Sequence, residues 1–116
     1  MNQGSTLDER QRELMQEIGG LNRVIHEPAR LMILTMLCAV DEADFLYLQR
    51  ETGLSKGNLS AHLSRLEEAG LISIEKAFHG KRPVTSIRLT VAGRQAFETY
   101  RQQLGTALKG LQEASA

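Results

Sequence analysis

FLYLQRETGLSKGNLSAHLSRLEEAGLISIEKAFHGKRPVTSIRLT (45–90) carries the architecture, because its hydrophobic period changes midway. FLYLQRETG (45–53) reads as a short helix ended by Gly53, with room for a one- or two-residue strand before it. Leu54 is expected as a buried turn residue. Ser55 then caps a second helix, SKGNLSAHLSRLEEAG, which Gly70 ends. In that helix Leu59, Leu63 and Leu66 recur at i, i+4 and i+7, a single face toward a core. From Leu71 the period drops to two. LISIEKAF (71–78) and VTSIRLT (84–90) alternate as strands do, and His79-Gly80-Lys81-Arg82-Pro83 joins them, so the pair is expected to fold as an antiparallel hairpin. Thr90 is expected to cap the last helix.

Toward the N-terminus, PARLMILTMLCAV is apolar almost all round, which places it as a central buried helix with Pro28 in its first turn. Before it, residues 7–18 set Leu7, Leu14 and Ile18 on one stripe of an amphipathic helix, with Ser5 or Thr6 in the N-cap position. Gly19-Gly20 interrupts that helix. Toward the C-terminus, residues 91–113 form a last helix with a stripe of Phe97, Tyr100, Leu104, Ala107 or Leu108, and Leu111. The order is α-α-α-α-β-β-α: mainly α with a small β-hairpin, one compact domain over 1–116 with helical extensions at both ends.

Composition narrows the function classes. The chain has 116 residues, 41% hydrophobic, with three Phe, two Tyr and no Trp, so its core rests on aliphatic side chains. Its 14 basic and 14 acidic residues cancel, yet they segregate along the sequence. Residues 76–90 hold Lys76, Lys81, Arg82 and Arg88 with no acid, whereas 41–51 set Asp41, Glu42, Asp44 and Glu51 against Arg50 alone. A hairpin edge guarded by cations explains the basic run as well as a polyanionic partner does. The one cysteine, Cys38, lies among apolar neighbours and is expected to be a small buried hydrophobe. His26, His62 and His79 are not at ligand spacing, so neither a metal nor a cofactor is expected. No secretory leader and no apolar run near the ~20 residues of a membrane span is present, which points to a soluble, cytoplasmic protein. No phosphate loop or nucleophile–base pair suggests an enzyme.

Residues 45–90 taken as a unit describe a helix-turn-helix followed by a wing with a basic tip. A helix in the major groove of B-DNA must offer side chains that are small or able to hydrogen-bond base edges. The outward positions of the second helix are Lys56, Gly57, Asn58, Ser60, Ala61, His62, Ser64 and Arg65, with acids only at Glu67 and Glu68. A solvated helix would favour Glu at its N-terminal end, where the macrodipole is positive. This one carries Lys56 and Asn58, as a phosphate-facing surface requires. Gly57 costs ~1 kcal/mol relative to Ala in a helix. Close approach to a DNA backbone would explain it, and so would tight packing against Leu48 or Gln49.

The string LQRETGLSKGNLSAHLSRLEEAGLISIEKAFHGKRPVTSIRLTVAGRQAF (48–97) resembles the winged-helix domain of MarR/ArsR-type transcriptional regulators. The likeness is greatest to short single-domain members with a TGL-x-x-x-x-L-x-x-H-L-x-x-LE-x-x-GL core and an LT-x-x-GR start to the last helix. It covers roughly residues 21–100. The resemblance implies a repressor or activator that binds double-stranded DNA and dimerises through terminal helices. It also implies a recognition helix at 55–69 and a wing tip at 79–83. On that alignment Lys56, Asn58, Ser60, Ala61 and Ser64 face bases, and Ser55, His62, Arg65, Lys81 and Arg82 grip phosphate. The paired cysteines of the metal-sensing members are missing, so metal sensing is not expected.

The terminal stripes ask for a partner of their own. Leu7, Leu14 and Ile18, with Tyr100, Leu104, Leu108 and Leu111, fall outside the winged core, and stripes of this length would be unusual on a monomer. A twofold homodimer is expected, with two recognition helices about 34 Å apart on a near-palindromic site. A small-molecule effector pocket walled by Met15, Met32 and Met36 is conceivable, but core filling is the preferred reading of those methionines. Asp41, Glu42 and Asp44 read as a solvated turn, His26 as a local structural residue, and Tyr47 and Tyr100 as half-buried. The competing function is a winged helix used as a protein–protein interaction module, which would need an apolar recognition helix.

Overall fold

A computed structural model describes residues 7–115. The elements are α1 (Glu9–Gly19), α2 (Pro28–Ala39), β1 (Ala43–Asp44), α3 (Phe45–Thr52), α4 (Lys56–Glu68), β2 (Ile72–His79), β3 (Arg82–Leu89) and α5 (Val91–Ser115). Where the sequence suggests one compact domain with extensions, the residues gather into two compact units. Arg23–Phe97 form one; α1 with its flanks and α5 from Glu98 onward form the other.

In the Arg23–Phe97 unit each helix starts where a side chain satisfies a free backbone N–H. Glu27 accepts from the Ala29 amide at 2.6 Å, immediately before Pro28, whose missing N–H would have been unpaired there anyway. Asp44 accepts from the Tyr47 amide at 2.7 Å and Ser55 from the Asn58 amide at 3.1 Å. Gly53 ends α3 in the left-handed region at φ 72°, as expected, while α4 stops at Glu68 with Ala69 as its cap. Helix α2 packs against α3, α4 and β3. Its Ile33, Leu34 and Leu37 meet a core shared with Leu48, Leu59, Leu63, Leu66, Ile72 and Ile87, all buried. Each such residue contributes roughly 1.5–3 kcal/mol of burial. Met36 is half-buried but Met32 is exposed, as is Met15 in the other unit, so core filling holds for only one of the three methionines. Leu54 and Cys38 are half-buried rather than buried.

The hairpin is longer and tighter than its sequence suggests. Strands β2 and β3 stay paired from Ile72↔Leu89 out to His79↔Arg82, leaving only Gly80-Lys81 as the loop. Gly80 has φ 64° and Lys81 does not share the positive φ, which fits a two-residue turn with glycine in first place. Pro83, expected in the connection, lies within β3 opposite Phe78. Two residues, Ala43 and Asp44, pair with Ile87 and Ser86 to complete a three-stranded antiparallel sheet in the order β1-β3-β2.

The foot of the hairpin is fixed by Thr90. Its amide donates to the Leu71 carbonyl at 3.1 Å and its hydroxyl donates to the Gly70 carbonyl at 2.6 Å. That hydroxyl oxygen in turn accepts from the Gly93 amide at 2.9 Å, so Thr90 caps α5 as expected. A Cβ at Gly93 would overlap the Leu71 carbonyl, which explains why the sequence needs Thr, then Gly three residues on.

In the other unit, Asp8 rather than Ser5 or Thr6 caps α1, in a reciprocal pair of hydrogen bonds with Gln11; Ser5 and Thr6 lie outside the described residues. Gly110 of α5 leaves the space that the side chains of Leu14 and Arg10 occupy. This corrects part of the expected dimer surface. Leu14 is 3% exposed and Tyr100 1%, so neither has area left to give to a partner. Burial also raises the Tyr100 hydroxyl above its ordinary pKa. Leu7 and Leu104 are half-buried, whereas Ile18, Leu108 and Leu111 are exposed, joined by Met15 at 60%.

Candidate nucleic-acid interface

Helix α4 shows two faces. Leu59, Leu63 and Leu66 are buried, and Lys56, Gly57, Asn58, Ser60, Ala61, Ser64 and Arg65 are exposed. With Ser55 at the cap and Lys81 and Arg82 at the hairpin tip, all but one of the expected DNA-facing side chains are open to solvent. The Ser55 oxygen holds the Asn58 amide, which leaves its hydroxyl proton able to donate outward. Gly57 is settled between its two readings on one side. A Cβ there would meet nothing within 4 Å, so packing against Leu48 or Gln49 does not explain it.

His62 departs from the expectation of a phosphate contact. Its side chain is 24% exposed, and Nδ1 lies 3.1 Å from Glu27 Oε2 and 3.1 Å from Arg30 Nη1. In the tautomer that leaves Nδ1 unprotonated the ring accepts from the guanidinium, while Glu27 Oε2 stands close as a charge neighbour without a hydrogen bond of its own. Arg30, only 12% exposed, is itself anchored by the Val24 carbonyl, to which Nε donates, and lies 3.5 Å from Glu27. The cluster pins the middle of α4 to the start of α2. Sequence reasoning missed Glu27 and Arg30, although a signal existed. His62 stands three residues after Leu59 and four before Leu66, at the border of the buried stripe.

The charges sort by partner. Arg88, counted with the basic run in the sequence, is spent at the foot of the hairpin, 3.3 Å from Glu42 and 3.9 Å from Glu75. By contrast Lys56, Arg65, Lys76, Lys81 and Arg82 make no ion pair among the described residues. Between α4 and the inner face of the hairpin lies a groove of about 800 Å³. Lys56, Ser60 and Ser64 line one wall and Lys76, Arg82 and Thr85 the other. Asp44 and Glu67 also reach it. Lys56, Lys76 and Arg82 outnumber Asp44 and Glu67 in the lining, and low-dielectric walls focus the cationic excess toward an anion.

A helix-turn-helix, a hairpin wing and an acid-free helix face meet here. Residues 29–108 match the family of winged helix DNA-binding domains. The chain belongs to that family. The winged helix is 35% identical over 78 residues to the uncharacterised protein MJ0432 of Methanocaldococcus jannaschii, covering 67% of this chain and 85% of that one. Among solved structures it is similar to a transcriptional regulator homologue from Pyrococcus horikoshii OT3, with a TM-score of 0.75 and 28% identity over 90% of this chain and 98% of that one. It also shares the fold of a protein assigned to the MarR family of transcriptional regulators from Enterococcus faecalis V583, with a TM-score of 0.66 and 18% identity over 98% of each chain. The MarR-like winged-helix architecture expected from the sequence is thereby shown. Family and fold point to DNA binding rather than catalysis. Among the described residues no group of His, Cys, Asp and Glu could hold a metal ion, and no helix is long and apolar enough to cross a membrane.

Proposed function

We propose that this winged helix regulates transcription as a homodimer on double-stranded DNA, reading a near-palindromic site with α4 in the major groove. The observation that carries the reading is the exposed face from Lys56 to Arg65, which is free of acids and flanked by the unpaired cations Lys76, Lys81 and Arg82. Small side chains at Ser60, Ala61 and Ser64 let the helix approach base edges, while Lys56 and Asn58 supply donors there. Ser55, Arg65, Lys81 and Arg82 hold phosphates and fix the docking register. His62 acts in this reading through Arg30 and Glu27, holding the helix at its angle rather than gripping phosphate. Met15, Ile18, Leu108 and Leu111, all exposed on α1 and α5, are the apolar side chains that a second copy covers in this reading.

The test is a gel-shift series on mixed-sequence duplex DNA across a range of salt. Arg82→Ala is expected to weaken binding to every sequence and to lower the slope of log affinity against log salt by about 1. Asn58→Ala is expected to change which sequences are preferred, with roughly 1–3 kcal/mol at the affected base pair. Parent-like behaviour from both variants would remove α4 from the interface. A chain that ignores duplex DNA but captures a protein would favour the interaction-module reading.

A further inference from the structure

The inner face of the hairpin ends in an apolar pair. Side chains alternate along β2, so Ile72, Ile74, Lys76 and Phe78 share one face, and their partners Leu89, Ile87, Thr85 and Pro83 share it too. The face is buried at its foot, where Ile72 and Ile87 join the core, and charged midway at Lys76. At its far end Phe78 is 71% exposed and Pro83 beside it is exposed as well. Nothing in the Arg23–Phe97 unit needs an aromatic ring there. A strand tip in water is ordinarily capped with polar residues, and a large exposed apolar group marks a contact surface.

Resting on the DNA-binding reading above, we propose that Phe78, backed by Pro83, is a wedge that enters the minor groove beside the major groove read by α4. It unstacks a base step there and bends the duplex. The surroundings choose DNA over a protein or a second copy as the occupant. Lys76 precedes the ring on its own face, and His79, Lys81 and Arg82 surround the tip. From Lys76 to Thr90 no acid interrupts the field. An apolar protein surface would find this ring fenced by unpaired cations, whereas a nucleic-acid groove satisfies both at once. The dimensions agree. The minor groove, ~6 Å wide, admits side chains but not a whole hairpin. The two-residue loop therefore brings only its tip residues to the groove floor. Apolar wedges of Phe or Pro between base steps are an established physical route to a kink, and pyrimidine–purine steps yield to them most readily.

The experiment uses the full chain and one duplex recovered from a random pool by repeated binding to the parent protein, labelled at both ends for energy transfer. A second duplex replaces each flexible TA or CA step in the outer flanks with a stiff A-tract step. The parent is expected to shorten the end-to-end distance and to prefer the first duplex about fivefold or more. Phe78→Ala is expected to lose both the bend and the preference while keeping the parent's salt slope, since no charge changes. Phe78→Leu, which keeps an apolar wedge, restores them in part. Thermal melting and amide exchange of the hairpin should match the parent in both variants, as expected for a largely exposed side chain.

If Phe78→Ala bends and discriminates as the parent does, the wedge is wrong and the DNA-binding reading stands. If both variants lose binding together with hairpin protection, the ring serves the hairpin, and the wedge is again overturned. A parent that recovers no duplex from the pool defeats the DNA-binding reading itself, and the wedge with it.

Discussion

Helix α4 and the pair formed by α1 with the later part of α5 are both amphipathic, yet they leave opposite chemistry in solvent. On α4 the exposed side chains from Lys56 to Arg65 are small, polar or cationic, and acids come only at its end, at Glu67 and Glu68. On α1 and α5 the exposed set includes Met15, Ile18, Leu108 and Leu111 beside ordinary charged residues. Burial accounts for neither choice, because both regions already have filled cores through Leu59 and Leu63 in one and Leu14 and Tyr100 in the other. What differs is the partner each surface suits. One has the charge and small profile required against a polyanion, and the other offers apolar area that water would rather lose.

The largest test of that contrast is to charge the apolar face. Ile18→Glu with Leu108→Glu would place unpaired carboxylates in the proposed dimer contact, and self-association should weaken by at least about 100-fold, seen as the chain mass by sedimentation. A parent that sediments at single-chain mass at micromolar concentration would break the comparison outright. A smaller effect should come from Gly57→Ala on α4. With open space around that position, the methyl should raise stability by about 1 kcal/mol in urea unfolding. DNA affinity should nevertheless fall, because in the proposed docking the methyl would stand between helix and phosphate backbone. A variant both more stable and equally tight would return Gly57 to the status of a neutral surface residue.

The smallest effect belongs to Tyr100. Its hydroxyl is held protonated by burial, so the folded-state pKa lies above the unfolded value of 10.0. Below pH 10 the group contributes its full stabilisation. As pH rises past the unfolded pKa, the unfolded chain releases the proton first and stability declines. Tyr100→Phe should flatten the alkaline limb of the unfolding profile.

Most of the fold was legible because it is written in periods and caps. The shift from the Leu59-Leu63-Leu66 spacing to alternation at Leu71 locates the helix-to-strand boundary, and Ser55, Thr90 and Pro28 mark helix starts that the structure reproduces. Pairing at the hairpin tip was less legible. Pro83 carries no amide proton and suggested a loop, but a position in β3 opposite Phe78 leaves the pairing out to His79↔Arg82 intact. The terminal stripes are legible as apolar helix faces, but not in what covers them. A helical pattern cannot say whether Leu14 faces its own chain or another, and here Gly110 opens room for it within one chain. The surroundings of His62 are hidden in the sequence for a related reason. Its helix position follows from the leucine spacing, but Glu27 and Arg30 lie more than thirty residues away and only folding brings them near.

Thr90 has a mechanical consequence. Its amide and hydroxyl fasten the end of β3 to the residues that lead into β2, while Gly93 lets the following helix sit flush on that knot. The wing is thereby a lever with a welded base, whose root the Thr90 hydrogen bonds leave little play. Deflection of the tip is transmitted toward Leu71 and the end of the neighbouring helix instead of dissipating in a slack joint.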